Sequence, residues 1–310
     1  MRLELAKKTF LDEKNLSDLA DVIIVPFGLE KTVCFGKGTS RGPQRIIEVS
    51  PQLEAFDEEL EKDVYKEVKI CTLEEPVIEK SHEAAIGQLE QIVDEIYKLN
   101  KFPLILGGEH SLTLGAVRAA LKKFGQITIL QFDAHADLRE EYEGTIYNHA
   151  CVMRQCLKLP GVNLVQVGIR NISTDTDEFG FWKKNQNRIK TFWAKDMAKW
   201  KIKEIVGSLG KNVYLTFDVD AFDSGIMPSC STPEPGGLEW YQTMEILKAI
   251  ASKKNIIGAD VVELAPIQNL HAPDFLAAKL VYKIIAYVFV SKIAAVGRAI
   301  LREAAKQSSA

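Results

Sequence analysis

The chain alternates short, β-branched apolar runs with segments of helical periodicity along nearly its whole length. Eight runs have the length and composition of strands: 22–25, 68–71, 103–106, 127–132, 164–167, 189–192, 213–217 and 256–262. Runs such as ITILQF at 127–132 are apolar on both faces, as strands covered by helices on each side must be. The alternation therefore predicts a parallel α/β sheet between two layers of helices.

Helical periodicity is clearest in the segment 81–99. Its apolar residues are three or four apart and trace one face of a helix: Ala85, Ile86, Leu89, Ile92, Val93, Ile96 and Leu99. No internal repeat, low-complexity tract or linker-like stretch interrupts the chain. The simplest organisation is therefore one domain that covers residues 1–310.

Charge and hydropathy exclude several classes of partner. The net charge of −3 is too small to suggest a nucleic-acid partner or an anionic membrane surface. The most apolar stretch, 276–296, is too short for a membrane span and is interrupted by Lys279, Lys283 and Lys292. The first residues lack the apolar core of a signal peptide. Five scattered cysteines without a CxxC pair fit a reducing compartment, so we expect a cytoplasmic protein.

Candidate metal ligands follow three of the predicted strands. His110, Asp133 and Asp218 come after the runs at 103–106, 127–132 and 213–217. In an open parallel sheet the ligand site lies beyond the carboxyl ends of the strands. Side chains two residues apart in an extended segment point to the same side. His135 and Asp137 can therefore lie on the same side as Asp133, and Asp220 on the same side as Asp218.

Two imidazoles and four carboxylates are enough to hold two divalent ions close together. A set dominated by oxygen suits Mn²⁺ better than a metal that seeks thiolates. A two-metal site prepares a hydroxide at neutral pH and polarises the group that it attacks. The alternative is that these residues only cap helices and turns, a common role for an aspartate after a strand. Because six ligand-type residues converge, we predict a binuclear site and a hydrolase.

Two further polar residues have both a functional and an ordinary interpretation. His149 lies outside the ligand set, and Asn148 just before it can cap a following helix. Beside an activated hydroxide His149 would be a natural proton shuttle, but spacing alone favours a surface or packing histidine. Glu263 follows the run at 256–262 and can pair with a planar cation, or it is a simple strand-end charge.

Taken together, the motifs resemble those of the ureohydrolase family, which includes arginase and agmatinase. The motifs are GGEHS at 107–111, FDAHAD at 132–137, FDVDAFD at 217–223 and VVELAP at 261–266, and the resemblance extends from about residue 36 to residue 280. It implies a single three-layer α/β domain built on an eight-stranded parallel sheet flanked by helices. It also implies an enzyme that uses two Mn²⁺ ions per chain to hydrolyse a guanidinium group to urea and an amine.

The resemblance assigns a role to each candidate residue. One manganese would be bound by His110 and Asp137 and the other by His135 and Asp220, with Asp133 and Asp218 as bridges. A hydroxide between the ions would attack the guanidinium carbon, and Asp137 would also steady it by a hydrogen bond. His149 matches the family's proton-shuttling histidine, and Glu263 matches the carboxylate that holds the guanidinium. The resemblance therefore favours function for both.

The surrounding residues resemble agmatinases more than arginases. Arg139 stands where arginases have an asparagine that recognises the α-substituents of arginine, and Ser173 stands where they have an aspartate that contacts the α-amine. We therefore expect a small cationic guanidino substrate, agmatine first, which would give putrescine and urea. The alternatives are aminopropylagmatine, guanidinobutyrate, arginine or a formimino compound. Glu140, Glu141 and Glu143 would suit a polyamine cation, or they form a solvated loop face.

One loop departs from the family pattern. Ser224 stands where the family usually has proline, and Cys230 and Ser231 replace a usual Thr-Gly pair. These departures leave the predicted metal ligands intact, but they affect the shape of the loop and so the choice of substrate. His82 and His271 receive no role.

Two other functional classes remain as alternatives. Zinc-dependent deacetylases share the implied fold but use one metal and lack the full set of six ligands. A non-catalytic scaffold would be expected to have lost ligands or His149, and none is lost here. The resemblance further suggests a homo-oligomer, either a trimer or a hexamer, with neither nucleic acid nor membrane as a partner.

Overall fold

Eight parallel strands form the central sheet of the protein, whose computed structural model describes residues 3–175 and 177–290. The strands are β1 (Val22–Phe27), β2 (Ile70–Thr72), β3 (Phe102–Gly107), β4 (Ile127–Phe132), β5 (Val162–Ile169), β6 (Ile189–Trp193), β7 (Asn212–Asp218) and β8 (Asn255–Val262). Their order in the sheet is β2-β1-β3-β8-β7-β4-β5-β6, and every pair is parallel. All eight predicted strands are therefore confirmed, with their bounds shifted by two residues at most.

Helices connect the strands and cover both faces of the sheet. They are α1 (Gly42–Val49), α2 (Val64–Glu67), α3 (His82–Lys98), α4 (Thr113–Phe124), α5 (Val152–Leu157), α6 (Glu178–Lys184), α7 (Ile202–Ser208), α8 (Trp240–Lys253) and α9 (Ala272–Ile285). A short antiparallel hairpin, Phe56–Asp57 with Lys62–Asp63, lies outside the sheet. That residues 1–310 form one domain stays a prediction.

The predicted helix at 81–99 is α3. Ser81 precedes it, and the Ser81 hydroxyl accepts a hydrogen bond from the backbone N–H of Ala84, as an N-cap should. The predicted apolar face is buried except for Leu99, which is 42% exposed. The inclusion of Leu99 is wrong because the helix ends at Lys98, and the buried residues of the last turn are Ile96 and Tyr97.

Alternate residues along the inner strands pack into two separate cores. In β1, Val22 and Ile24 join the core under α1, α8 and α9, whereas Ile23 and Val25 join the core under α3, α4 and α5. Successive side chains of a strand point to opposite faces, so a run that is apolar throughout can fill both cores at once. The sheet is thus the middle of three layers, as predicted.

The apolar stretch predicted at 276–296 begins inside α9, and its last residues, including Lys292, lie outside the described residues. Among the residues that are described, no helix has the length and hydropathy to cross a membrane.

Lys283 of α9 is fully buried against the outer hairpin. Its Nζ lies 2.9 Å from a carboxylate oxygen of Asp57, which is also fully buried, and 3.2 Å from Glu59. Burial raises the pKa of Glu59, but hydrogen bonds from Tyr287, Lys248 and Lys283 outweigh it and lower this pKa to about 2. These ion pairs join α9 to the hairpin, and removal of one buried charge would leave its partner buried without a counter-charge.

Candidate metal centre

Four neighbouring strands in the middle of the sheet carry the predicted site residues at their carboxyl ends. His110 and Asp133 come after β3 and β4, Asp218 is the last residue of β7, and Glu263 comes directly after β8. Because β3, β8, β7 and β4 are adjacent, residues far apart in sequence meet at one edge of the sheet. His110 and Glu263, for example, are 153 residues apart, yet the backbone N–H of His110 donates to Glu263 Oε1 at 2.7 Å.

Two groups of ligand atoms lie at this edge and share one aspartate. In the first group, His110 Nδ1 lies 3.1 Å from Asp133 Oδ2 and 3.0 Å from Asp137 Oδ2. In the second, His135 Nδ1 lies 3.7 Å from Asp133 Oδ1 and 2.9 Å from Asp220 Oδ2. The ligand atoms within each group are all within 4.8 Å of one another. Asp133 therefore presents a different oxygen to each group.

Asp218, the second predicted bridge, lies at the edge of the first group. Its Oδ2 is 3.6 Å from His110 Nδ1, and its Oδ1 accepts the backbone N–H of Asp220 at 2.9 Å. All six predicted ligands are thus brought together at one place in the structure. Which ion each of them binds stays a prediction.

The chemistry of these groups fits divalent cations. Among the described residues, His110 Nδ1 is a buried nitrogen without a hydrogen-bond partner, although carboxylate oxygens lie close to it. Burial raises the pKa of Asp137 to about 7 and the pKa of Asp218 well above its usual value, with neighbouring carboxylates acting in the same direction. Crowded buried carboxylates and an unpaired imidazole nitrogen are stabilised by a cation between them.

A hydrogen-bonded chain beneath the site fixes the ring of His110. Its Nε2 lies 2.8 Å from Thr216 Oγ1, and this hydroxyl donates to Asp260 Oδ1 at 2.6 Å. Because the hydroxyl has only one proton to give, Nε2 must carry a hydrogen and donate it to Thr216. The lone pair of His110 is then on Nδ1, which faces the carboxylates. Imidazoles that bind metals are commonly held in this way.

A second chain of the same kind holds the ring of His149. The hydroxyl of Thr32 donates to Glu109 Oε1 at 2.9 Å and lies 3.1 Å from His149 Nδ1. By the same proton count, Nδ1 carries the hydrogen, so the free lone pair is on Nε2. Nε2 faces the cavity and lies 3.5 Å from Cys34 Sγ.

The environment of His149 keeps its ring neutral. Burial lowers its pKa to about 4, Glu109 opposes this change, and the positive charge of Arg139 acts in the same direction as burial. Asn148 caps the short turn that follows, since its Oδ1 accepts the backbone N–H of Ala150 at 3.0 Å, as predicted. A neutral histidine with its lone pair towards a cavity can accept a proton.

Glu263 is held from two sides. Its Oε1 accepts the backbone N–H of His110, and its Oε2 accepts the hydroxyl of Ser231 at 2.6 Å. Burial raises its pKa to about 8, although both hydrogen bonds lower it. The backbone of Glu263 has a φ of 68°, a left-handed conformation that costs free energy and is often found at functional sites.

A cavity of about 390 Å³ opens over these residues. Its walls include all three predicted substrate residues, Glu263, Arg139 and Ser173, as well as His149. The guanidinium carbon of Arg139 lies 4.2 Å from the centre of the Tyr142 ring, and the backbone N–H of Ser173 donates to Glu178 Oε2 at 2.6 Å. Their contact with a substrate stays a prediction.

All three carboxylates of the acidic run after Arg139, Glu140, Glu141 and Glu143, are exposed. Glu140 is paired with Arg154 and Lys158, each at 2.5 Å. The solvated-face interpretation therefore describes Glu140 better than a role in binding a polyamine.

Sequence reasoning missed Thr32, Glu109, Asp260 and Glu178. Asp260 was detectable, because it is a charged residue in the middle of the apolar run of β8, and a buried charge needs a specific partner. Glu109 lies within the GGEHS motif, but nothing in the spacing of Thr32 and Glu109 shows that they meet. Glu178 is buried in the cavity wall at the start of α6, where an acidic residue usually marks only a helix N-terminus.

Comparisons with known proteins agree with this geometry. A family model described as the Arginase family matches residues 20–286. The N(1)-aminopropylagmatine ureohydrolase of Synechocystis is 36% identical over 291 residues, which cover 90% of this chain and 94% of the relative. The agmatinase of Pyrococcus horikoshii is 31% identical and covers 86% and 91%. The crystal structure of agmatine ureohydrolase of Thermoplasma volcanium superposes with a TM-score of 0.81 and 28% identity, over 91% and 94% of the two chains. The predicted family is confirmed: the chain belongs to the Arginase family.

Proposed function

We propose that this chain hydrolyses a cationic guanidino compound to urea and an amine, with agmatine as the first candidate and putrescine as its product. One observation carries the proposal: the two ligand groups that share Asp133 face the same cavity as Glu263 and His149. A hydrolytic centre and a carboxylate suited to a planar cation therefore lie within reach of one small molecule.

Two Mn²⁺ ions are the cofactor that we propose. His110 and Asp137 would hold one ion, His135 and Asp220 the other, with Asp133 and Asp218 shared between them, and oxygen-rich sets of this kind suit Mn²⁺. Bound ions would supply Lewis acidity and a nucleophile at neutral pH. Metal analysis of the purified protein tests this, since about two Mn per chain are expected, and a protein that cannot be loaded would be a scaffold instead.

Glu263 would bind and orient the guanidinium. One donor already occupies each of its carboxylate oxygens, which leaves a lone pair on each for two parallel N–H···O bonds. A carboxylate and a guanidinium match in this bidentate geometry, which fixes the plane of the substrate as well as its position. The central carbon then faces the ligand groups.

Asp137 would orient the attacking water, and His149 would transfer its proton. Asp137 would accept a hydrogen bond from the attacking water and so hold it towards the guanidinium carbon. When the bond between that carbon and the alkyl nitrogen breaks, the leaving amine needs a proton. His149 would take the proton of the water on Nε2 and deliver it to that amine, because its Nδ1 is already committed to Thr32.

The far wall of the cavity would select the other end of the substrate. Arg139 is stacked on Tyr142, whereas Glu178 is a buried carboxylate fixed beside Ser173. The carboxylate of Glu178 favours a substrate with an amine at its far end over one with a carboxylate. If guanidinobutyrate were turned over faster than agmatine, Arg139 would instead be the residue that binds the tail.

Aminopropylagmatine is the second candidate substrate. The Synechocystis relative is named for this activity, and so is a relative from Thermus thermophilus that is 35% identical over 85% of this chain. Aminopropylagmatine has the same guanidinium as agmatine and a longer cationic tail, so the same hydrolytic residues would serve both.

Urea release distinguishes these candidates. Manganese-loaded protein is given agmatine, aminopropylagmatine, guanidinobutyrate and arginine side by side, and kcat/KM is compared. A preference for agmatine supports the first candidate, and a preference for aminopropylagmatine supports the second. Urea from arginine alone contradicts the interpretation of Arg139 and Ser173. No urea from any of them, with metal bound, contradicts the proposed function.

We also propose a cytoplasmic homo-oligomer, either a trimer or a hexamer. All five cysteines lie in the described part of the chain and none forms a disulfide, which suits a reducing compartment. The oligomeric state rests on the family resemblance, and analytical ultracentrifugation of the purified protein tests it.

A further inference from the structure

The strand-like segment around Cys230 lies against the residues that follow β8. Cys230 pairs with Leu264 in an antiparallel bridge, and the backbone N–H of Ala265 donates to the carbonyl of Ser229 at 2.9 Å. In an antiparallel pair the residue after one partner is opposite the residue before the other. This register puts Ser231 directly across from Glu263.

From this position the hydroxyl of Ser231 forms a hydrogen bond with the carboxylate of Glu263. It donates to Glu263 Oε2 at 2.6 Å, a short distance that is typical of a hydroxyl bound to a carboxylate. The other carboxylate oxygen is held by the backbone of His110. Of the two donors, only the hydroxyl of Ser231 comes from a side chain, so only this one can be removed by substitution.

The backbone of Ser231 is itself fixed. Its carbonyl accepts the backbone N–H of Gly36 at 3.1 Å, and a Cβ on Gly36 would lie only 2.9 Å from that carbonyl oxygen. Ser231 is 8% exposed, and it lines the cavity together with Glu263. A rigid backbone and a small side chain leave the hydroxyl little freedom to leave the carboxylate.

We infer that Ser231 is a positioning residue, whose hydroxyl holds the carboxylate of Glu263 in the plane in which it binds the guanidinium. The inference rests on the proposed function. It also gives a physical consequence to one of the departures from the family pattern, because a glycine at this position would have no hydroxyl. Without the hydroxyl, only the bond from the His110 backbone holds the carboxylate of Glu263, and its second oxygen is less restricted.

Ser229 provides a matched control in the same loop. It is fully buried, and its hydroxyl has no hydrogen-bond partner among the described residues. Ser231→Ala and Ser229→Ala therefore remove the same atom from the same loop, but only the first removes a bond to Glu263.

We expect Ser231→Ala to raise KM for agmatine by about 10-fold, with kcat changed by less than about 3-fold and metal content unchanged. Ser229→Ala should leave all three unchanged.

A double-mutant cycle shows whether the effect passes through Glu263. In a Glu263→Gln background the further change Ser231→Ala should alter KM by less than about 2-fold, because the carboxylate that the hydroxyl positions is already gone. Equal changes in KM for Ser231→Ala and Ser229→Ala, or an undiminished effect of Ser231→Ala in the Glu263→Gln background, would overturn the inference.

Failure of the proposed function would look different. If the wild-type protein released no urea, agmatine would be a simple ligand, and its Kd from calorimetry would replace KM in the same comparison. Weaker binding in Ser231→Ala than in Ser229→Ala would then support the role of Ser231 although the activity had failed. No binding of agmatine to metal-loaded wild-type protein would overturn both.

Discussion

Replacing Thr32 by valine tests whether the orientation of the His149 ring matters to turnover. Valine has nearly the shape of threonine but cannot hydrogen-bond, so the substitution removes the hydroxyl that lies between Glu109 and His149. The carboxylate of Glu109 is not left unpaired, because it still accepts the backbone N–H groups of Lys31 and residue 32 and the hydroxyl of Ser111. The loss therefore falls mainly on His149.

The hydroxyl also accepts the backbone N–H of His149 at 3.2 Å, but the expected size of the change in kcat follows from the bond to Nδ1, because that bond orients the ring. A hydrogen bond of this kind is worth about 1 kcal/mol, and every 1.36 kcal/mol or so of barrier changes a rate about tenfold. A ring without its partner also exchanges the proton between its nitrogens, which removes the lone pair from Nε2 in part of the population. We expect kcat to fall by about 10-fold, and by less than the ~10²-fold that removal of an acid–base group costs.

Steady-state urea release at saturating agmatine measures kcat, with metal content determined on the same samples. Thr32→Ser is the control, because it keeps the hydroxyl and should retain most of the activity. The free energy of unfolding should fall by about 1–3 kcal/mol in Thr32→Val, because the hydroxyl's bonds to Glu109 and His149 are lost together. If Thr32→Val retained full kcat, the hydroxyl would not be what orients His149. If Thr32→Ser lost as much as Thr32→Val, the effect would come from packing.

Four further predictions concern the metals, the shuttle and the buried ion cluster. Asp133→Asn should lose metal and activity together, because both ligand groups use this carboxylate; metal retained at normal levels would contradict this. His149→Phe should keep its metal while kcat falls by ~10²-fold, and an unchanged rate at every pH would remove it from the mechanism. Lys283→Met should lower the free energy of unfolding by about 3–5 kcal/mol in a urea titration, since it leaves Asp57 buried without its cation; an unchanged midpoint would show that the pair is not needed. Because the pKa of Glu59 is depressed from 4.5 to about 2 in the folded protein, its contribution to stability is present above pH 4.5 and is lost as the pH falls towards 2; the urea midpoint should therefore drop less in Glu59→Gln than in the wild type.

The sheet was predictable because its strands are buried on both faces. A run such as ITILQF fills two cores at once, so most of its residues must be apolar, and such runs are easily recognised in a sequence. The six metal ligands were predictable for a related reason. Each comes at or soon after the end of such a run, and all parallel strands point their carboxyl ends to the same edge.

The residues that hold the site residues in place were harder to predict. Thr32 meets His149 only because the loop after β1 crosses the end of β3, and no periodicity records such a crossing. Ser231 departs from the family pattern, which the sequence shows, but its bond to Glu263 depends on a register that only the folded chain has. Positions of ligands follow from topology, whereas the hydrogen bonds that orient them depend on loop conformation.

The position of β8 also has a consequence for how the protein is made. It is the last described strand along the chain, yet it lies in the middle of the sheet between β3 and β7. Both neighbours are therefore synthesised before β8, the strand that pairs with each of them. Until β8 is synthesised, β3 and β7 each have an unpaired edge that can bind another nascent chain. Insertion of β8 closes this gap and delivers Glu263 in the same event. Completion of the sheet and completion of the candidate site thus become one step of synthesis, and a chain stalled before residue 255 would have all six predicted metal ligands but no continuous sheet to hold them.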